Sequence, residues 1–237
     1  MTGTLQILPI TGIGELRVGD ELAELIADAA AAAGTPLLDG DCIVVTQKAV
    51  SKVEGRIVAL DHSDRSAKRE LVESESVRVL RRRGDLIISE TRHGFVCANA
   101  GIDLSNVDDG TAALLPVEPD RSAKHVRDAL RARRRVEVAV IVSDTFGRAW
   151  RMGLTDVAIG VCGLLAVLDL RGTTDANGRE LEVTEVAIAD EIAGAAELVM
   201  GKARGVPAAI VRGLDATWFG AGTARDLVRP ASADLFR

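Results

Sequence analysis

Three features of the sequence predict an α+β fold, with mixed, largely antiparallel sheets flanked by helices. Strand-like apolar runs alternate irregularly with helical periodicity, so helices do not separate every strand as a doubly wound parallel fold requires. Two pairs of such runs are joined by turn-rich segments, Arg92-His93-Gly94 and Arg171 to Gly178, which suits antiparallel pairing. One run, Val136 to Val142, is almost unbroken in apolar and β-branched residues, the pattern of a strand buried on both faces. With 237 residues and 47% hydrophobic content, the chain can bury one sizeable core, or two lobes sharing one.

Taken in order, Leu5 to Leu8 reads as a short strand. Asp20 then caps a helix whose Leu22, Leu25, Ile26, Ala29, Ala30 and Ala33 follow the i, i+3, i+4 rule. Cys42 to Thr46 makes the next strand, and a charged helix is expected over Arg65 to Arg82. Leu86 to Ser89 and Phe95 to Ala98 pair as a hairpin. Asp120 opens a helix with Ala123, Val126, Ala129 and Leu130 inward, and the Val136 run follows. Val157 to Val161, Leu164 to Leu168 and Leu181 to Val186 read as strands. Ile188, Ile192, Ala195, Ala196 and Val199 mark an amphipathic helix, and Ala208 to Val211 adds a strand. From Asp215 periodicity is lost, so residues 1–214 are expected to form the domain and 215–237 an arm or linker.

Composition narrows function. The net charge of −6 and the scarcity of aromatics (Phe 4, Trp 2, Tyr 0) argue against a nucleic-acid surface. The basic runs Arg81-Arg82-Arg83 and Arg131 to Arg135 end stretches of helical patterning, where cations complement the helix dipole. Cys42, Cys97 and Cys162 lie singly in apolar runs and read as reduced core thiols. His62, His93 and His125 show no ligand spacing. No leader pattern is visible, and Val157 to Leu168, the longest uncharged apolar segment, is too short to cross a bilayer. A cytoplasmic location without membrane association is expected.

The chemistry concentrates at two strand ends. Asp144-Thr145 follows the Val136 run, and Asn99 to Asn106, with Asp103, follows Phe95 to Ala98. If Asp103 and Asp144 converge to about 4 Å, their repulsion is on the order of 4 kcal/mol at an effective dielectric near 20, so a divalent cation is expected between them. Two carboxylates and the Thr145 hydroxyl form an incomplete oxygen shell of the kind that Mg²⁺ or Mn²⁺ completes with substrate phosphate. Equally, each Asp could cap a turn or pair with Arg148 or Arg151. Lys48 and Lys52, four apart after the Cys42 strand, would share a helix face beside a phosphate chain, or form an ordinary solvated face. Arg148 could stabilise transferring phosphoryl oxygens. Asp190 and Glu191 read as solvent-facing. No P-loop and no dinucleotide fingerprint is present; Gly12-Ile13-Gly14 and Gly201-Lys202 lack the required neighbours.

Together, Asn99-Ala100-Gly101-Ile102-Asp103-Leu104-Ser105-Asn106, Ser143-Asp144-Thr145-Phe146-Gly147-Arg148, Gly178 to Thr184, Ala189-Asp190-Glu191-Ile192-Ala193, Val211-Arg212-Gly213 and Ser51 to Arg56 resemble the coenzyme F420-0:L-glutamate ligase family, over about Leu5 to Leu214. The resemblance is nearest to the actinobacterial form, in which the ligase module precedes a flavin-binding, nitroreductase-like domain. It implies the fold of that family and cytoplasmic, GTP-dependent amide formation. The carboxylate of F420-0 takes the γ-phosphoryl group, and the amine of L-glutamate attacks the acyl phosphate, with repetition extending a γ-linked chain. It implies Mg²⁺ or Mn²⁺, an accessory K⁺ and a homodimer. By matching position, Asp103, Asp144 and Thr145 resemble the metal ligands, and Asp144, Lys52 and Arg148 are the implied catalytic groups. Nucleotide contacts are implied for Ile13, Gly14, Glu15, Leu16, Gln47, Lys48, Lys52 and Asn106. They are implied as well for the loop Met200, Gly201, Lys202, Ala203, Arg204, Gly205 and Val206. Lys202 stands where archaeal members place an acidic metal ligand. Two other readings stay open: a binding module that serves a redox domain without ligating, and a metal-dependent phosphohydrolase.

Overall fold

A computed structural model describes residues 3–235. Its centre is a five-stranded sheet built from β1 (Gln6–Ile10), β12 (Ala208–Arg212), β2 (Cys42–Thr46), β8 (Ala139–Arg148) and β9 (Arg151–Cys162), in that order. β2 and β8 run parallel, and every other neighbouring pair is antiparallel. The architecture is the mixed α+β one that the sequence predicts.

Side chains alternate across the sheet and feed two cores. Ile43, Val45, Val140, Val142, Ala208 and Ile210 pack toward α1 (Leu22–Ala32) and α4 (Pro119–Arg134). Cys42, Val44, Ala139, Ile141, Ala209 and Val211 pack toward α5 (Ile188–Met200). This two-sided burial explains why β2 and β8 read as unbroken apolar runs. Smaller antiparallel sheets flank the central one: β3 (Ile57–Ala59) with β7 (Thr111–Ala113), β4 (Ser76–Arg83) with β5 (Leu86–Thr91) and β6 (Val96–Ala98), and β10 (Leu168–Asp169) with β11 (Glu185–Val186).

Several expectations need correction. The charged helix stops early: α3 is Arg65–Ser74, and Ser76–Arg83 turns back as β4 against β5. The Arg81-Arg82-Arg83 run therefore lies on a strand rather than at a helix end. The Val136 run enters the sheet only at Ala139 and continues through Asp144 to Arg148, so Asp144 lies inside the strand. Leu164 to Leu168 and Leu181 to Val186 contribute only the short β10 and β11. Asp20 does not cap its helix, where Glu21 holds that position, whereas Asp120 lies in the first turn of α4 as expected. Asp20 accepts from the Arg17 backbone N–H, and Asp120 Oδ1 accepts from Val161 and Ala224 N–H, tying α4 to β9 and to the C-terminal segment. Asp190 is half-buried and accepts from Ala158 N–H, whereas Glu191 is exposed as expected.

The segment from Asp215 is packed rather than extended. Trp218, Phe219, Ala224 and Leu227 lie against the α5-side core, and the Leu165 N–H donates to the Trp218 carbonyl. Gly222 approaches so closely that a Cβ there would stand 2.4 Å from the Leu164 carbonyl oxygen. Among the described residues no helix is long and apolar enough to cross a membrane, and the three cysteines are free, Cys42 and Cys97 buried.

Candidate active site

β2 ends at Thr46, opposite Ser143, while β8 continues with only β9 beside it. The step left at the carboxyl ends of these parallel strands is where open α/β sheets place ligands. There the chain holds a cleft of about 570 Å³. At the step Ile159 is an extra, bulged residue, since Val142 pairs with Gly160 and Ser143 with Ala158. Such a bulge sharpens the local twist and re-aims the strand end.

Each wall has a local cause. Thr46 caps α2 (Gln47–Val53), its hydroxyl accepting from Ala49 N–H, and this helix brings Lys48 and Lys52 to the cleft. Asp103 is anchored by reciprocal backbone hydrogen bonds with Ala113, and its Oδ1 accepts from Ser105 N–H at 2.7 Å. Lys48 Nζ lies 3.0 Å from Asp103 Oδ2. Lys202 Nζ lies 4.0 Å from the same oxygen. The loop after α5 is joined to the Asp103 loop by Asn106 Nδ2, which donates to the Lys202 carbonyl at 3.0 Å. Lys52 pairs with Glu15 of the N-terminal loop.

Asp103 and the Asp144-Thr145 pair, distant in sequence, thus line one cleft. The same cleft collects Ile13, Gly14, Glu15, Leu16, Gln47, Lys48, Lys52, Asn106, Met200, Gly201, Lys202, Gly205 and Val206. Ala203 and Arg204 are exposed and do not line it. Arg148 is also outside: it is exposed on the β8–β9 hairpin, donating to the Met152 carbonyl, so neither aspartate is paired with it. Sequence reasoning missed Asp108, Asp156 and Glu197, which line the cleft as well. Asp156 was legible only through its pairing with Thr145, a register that no local pattern announces.

The electrostatics are anionic. Six carboxylates (Glu15, Asp103, Asp108, Asp144, Asp156, Glu197) face three ammonium groups, Lys48, Lys52 and Lys202. Loss of hydration pushes the Asp144 carboxyl up to about 7, reinforced by the charges of Asp103 and Asp156 and opposed by the Thr145 N–H and Lys202. Burial acts upward on Asp103 too, but hydrogen bonds from Ser105 and the Lys48 ammonium hold it below the ordinary carboxylate range. Glu197 is raised by burial and by Asp156.

This donor set fits a hard divalent cation: all oxygen, net negative, with one carboxyl that does not ionise readily until a positive charge arrives. Among the described residues no three His, Cys, Asp or Glu side chains form a cage by themselves. Asp103, Asp144 and Thr145 would therefore hold an ion only in part, leaving positions for phosphate oxygens. Gln47 points to a second ligand group. Its amide nitrogen donates to Ser51 Oγ and the Leu114 carbonyl, while its buried Oε1 has no partner among the described residues.

A mixed sheet between helices, with an anionic, lysine-bearing cleft at the ends of its parallel strands, defines an α+β protein built around a small-molecule site. The family model for F420-0:gamma-glutamyl ligase matches residues 12–213, and the chain belongs to that family. A coenzyme F420:L-glutamate ligase of Methanothermobacter thermautotrophicus is 45% identical over 249 aligned positions, covering 98% of this chain and 99% of that protein. Proteins of the same name are 42% identical in Methanopyrus kandleri, covering 99% of this chain and 98% of the relative, and 41% identical in Methanocaldococcus jannaschii, covering 91% and 90%.

Proposed function

We propose that this chain joins L-glutamate to coenzyme F420-0 in coenzyme F420 biosynthesis, and extends the γ-linked chain, at the expense of GTP and with Mg²⁺ or Mn²⁺. The observation that carries the reading is the convergence of Asp103, Asp144 and Thr145 beside three lysines in one cleft. A cleft of this charge accepts a polyphosphate only together with cations. When bound, the divalent ion would offset charge on the phosphates and help position them.

A carboxylate is a poor electrophile, so its oxygen first displaces GDP at the γ-phosphorus, giving an acyl phosphate. The free amine of glutamate then attacks the acyl carbon, phosphate leaves with the C–O electron pair, and the nitrogen gives up a proton. Positioning and charge neutralisation carry most of such a transfer. Lys48 and Lys52 present ammonium groups to the phosphate chain from one face of α2, and Lys202 adds a third from the opposite loop. The unpartnered Gln47 Oε1 supplies an acceptor for a nucleotide N–H or O–H. Arg148 enters as a phosphoryl-stabilising group only by leaving the Met152 carbonyl. A homodimer is part of the proposal, supported by the apolar tip of the β8–β9 hairpin, where Met152 is 95% and Leu154 61% exposed.

The test is incubation of the purified chain with GTP, Mn²⁺, L-glutamate and F420-0, reading product mass. Successive glutamyl additions with matching GDP release are expected. Tight deazaflavin binding without addition would reduce the chain to a binding module, and GTP cleavage that ignores glutamate would make it a phosphohydrolase.

A further inference from the structure

Asp156 is 3% exposed, lines the cleft, and forms no ion pair with any described residue. A buried carboxylate is costly unless it is hydrogen-bonded or faces a positive charge. Its hydrogen bonds are specific. Thr145 Oγ1 donates to Oδ1 at 2.7 Å and Ser143 Oγ to Oδ2 at 2.9 Å. Ser143 and Thr145 are two apart on β8 and so project to the same side, and Asp156 stands directly opposite Thr145 on β9.

A hydroxyl has one proton and two lone pairs, and an ionised carboxylate only accepts. With its proton committed to Asp156, the Thr145 hydroxyl can meet anything in the cleft only as an acceptor. From this geometry we infer that Asp156 is a positioning residue: it fixes the Thr145 hydroxyl with its lone pairs available to a divalent cation in the cleft. The Ser143 hydroxyl, at the other oxygen, holds the carboxylate in plane for that task. The bulge at Ile159 sets the register that puts Asp156 opposite Thr145. The arrangement is the oxygen counterpart of an outer carboxylate that orients a metal-binding imidazole. The inference rests on the cation site of the proposed function, but not on ligation itself.

The test is Mn²⁺ titration of the full chain followed by electron paramagnetic resonance, with and without GDP. Asp156→Ala, which removes the acceptor, should weaken Mn²⁺ binding tenfold or more while near-UV circular dichroism stays native, and Asp156→Asn, whose amide oxygen can still accept from Thr145, should retain more of the affinity. Thr145→Val should weaken it similarly, and Thr145→Ser should restore it. Because one residue acts through the other, the double variant Asp156→Ala/Thr145→Val should lose markedly less than the product of the two single losses. Unchanged Mn²⁺ affinity in Asp156→Ala overturns the inference, as does a double variant whose losses simply multiply, since Asp156 would then act by its charge alone. Should Asp156→Ala fail to fold, Asp156→Asn and Thr145→Val decide the matter: wild-type affinity in Thr145→Val, or a loss in Asp156→Asn that multiplies with that of Thr145→Val, also overturns it. A wild-type chain that binds Mn²⁺ but adds no glutamate would defeat the ligase reading and leave this inference standing. A chain that binds no Mn²⁺ under either condition defeats it.

Discussion

At the scale of single residues, Asp144 carries a conflict between stability and chemistry. Folded, its carboxyl titrates near 7; in the unfolded chain it returns to about 3.8. Between those values the folded state binds the extra proton, so Asp144 contributes stability at low pH that is lost as pH rises through about 7. Asp144→Asn should therefore raise the Tm of the metal-free chain at pH 8, by about 5 °C for a relief of roughly 2 kcal/mol, with a smaller gain at pH 5. The same variant should abolish glutamyl addition. A melt showing no gain at pH 8, or turnover at the wild-type rate, would remove Asp144 from this role. Asp103, Asp144, Lys48 and Lys52 were legible because each follows a strand-like run closely. Asp156 and Glu197 were not, because what brings them in is strand register in one case and the last turn of α5 in the other.

At the scale of elements, long apolar runs gave themselves away and short or charged strands did not. β2 is legible to the residue because burial on both faces leaves no polar interruption. β3 and β7, three residues each, are too short to show alternation. β4 carries four arginines and reads in sequence as a continuation of the helix before it, although Val77 and Val79 are β-branched; cross-strand partners such as Glu90, 3.0 Å from Arg78, make it a strand. The junction of α4 with β9 yields a prediction. A Cβ on Gly160 would lie 2.4 Å from the Pro119 carbonyl oxygen, backbone that cannot swing aside. Gly160→Ala should destabilise the chain by about 2 kcal/mol or more, measured by urea unfolding, and should loosen the Asp120 link to Val161. Wild-type stability would show that α4 can retreat at no cost.

At the scale of the molecule, the C-terminal segment and the β8–β9 hairpin make opposite predictions. Removing residues 215–237 uncovers the core around Leu164 and Ala166, so the truncated chain should melt about 10 °C lower or come out insoluble. An unchanged melt would return the segment to the status of a free arm, as its missing periodicity suggested. Aspartate at Met152 touches no core residue and should leave the melt of an isolated protomer unaltered. Sedimentation should nevertheless find the wild type as a dimer and Met152→Asp as a monomer; a monomeric wild type would remove the dimer from the proposal.

The early stop of β2 carries a consequence of its own. Since the hollow exists because one strand quits several residues before its parallel neighbour, its depth is inherited from backbone lengths rather than carved by side chains. Two extra residues spliced in before Thr46 would plug it like a cork, whereas wholesale exchange of the polar groups around its mouth could redirect the enzyme to other acids or amines without disturbing the scaffold.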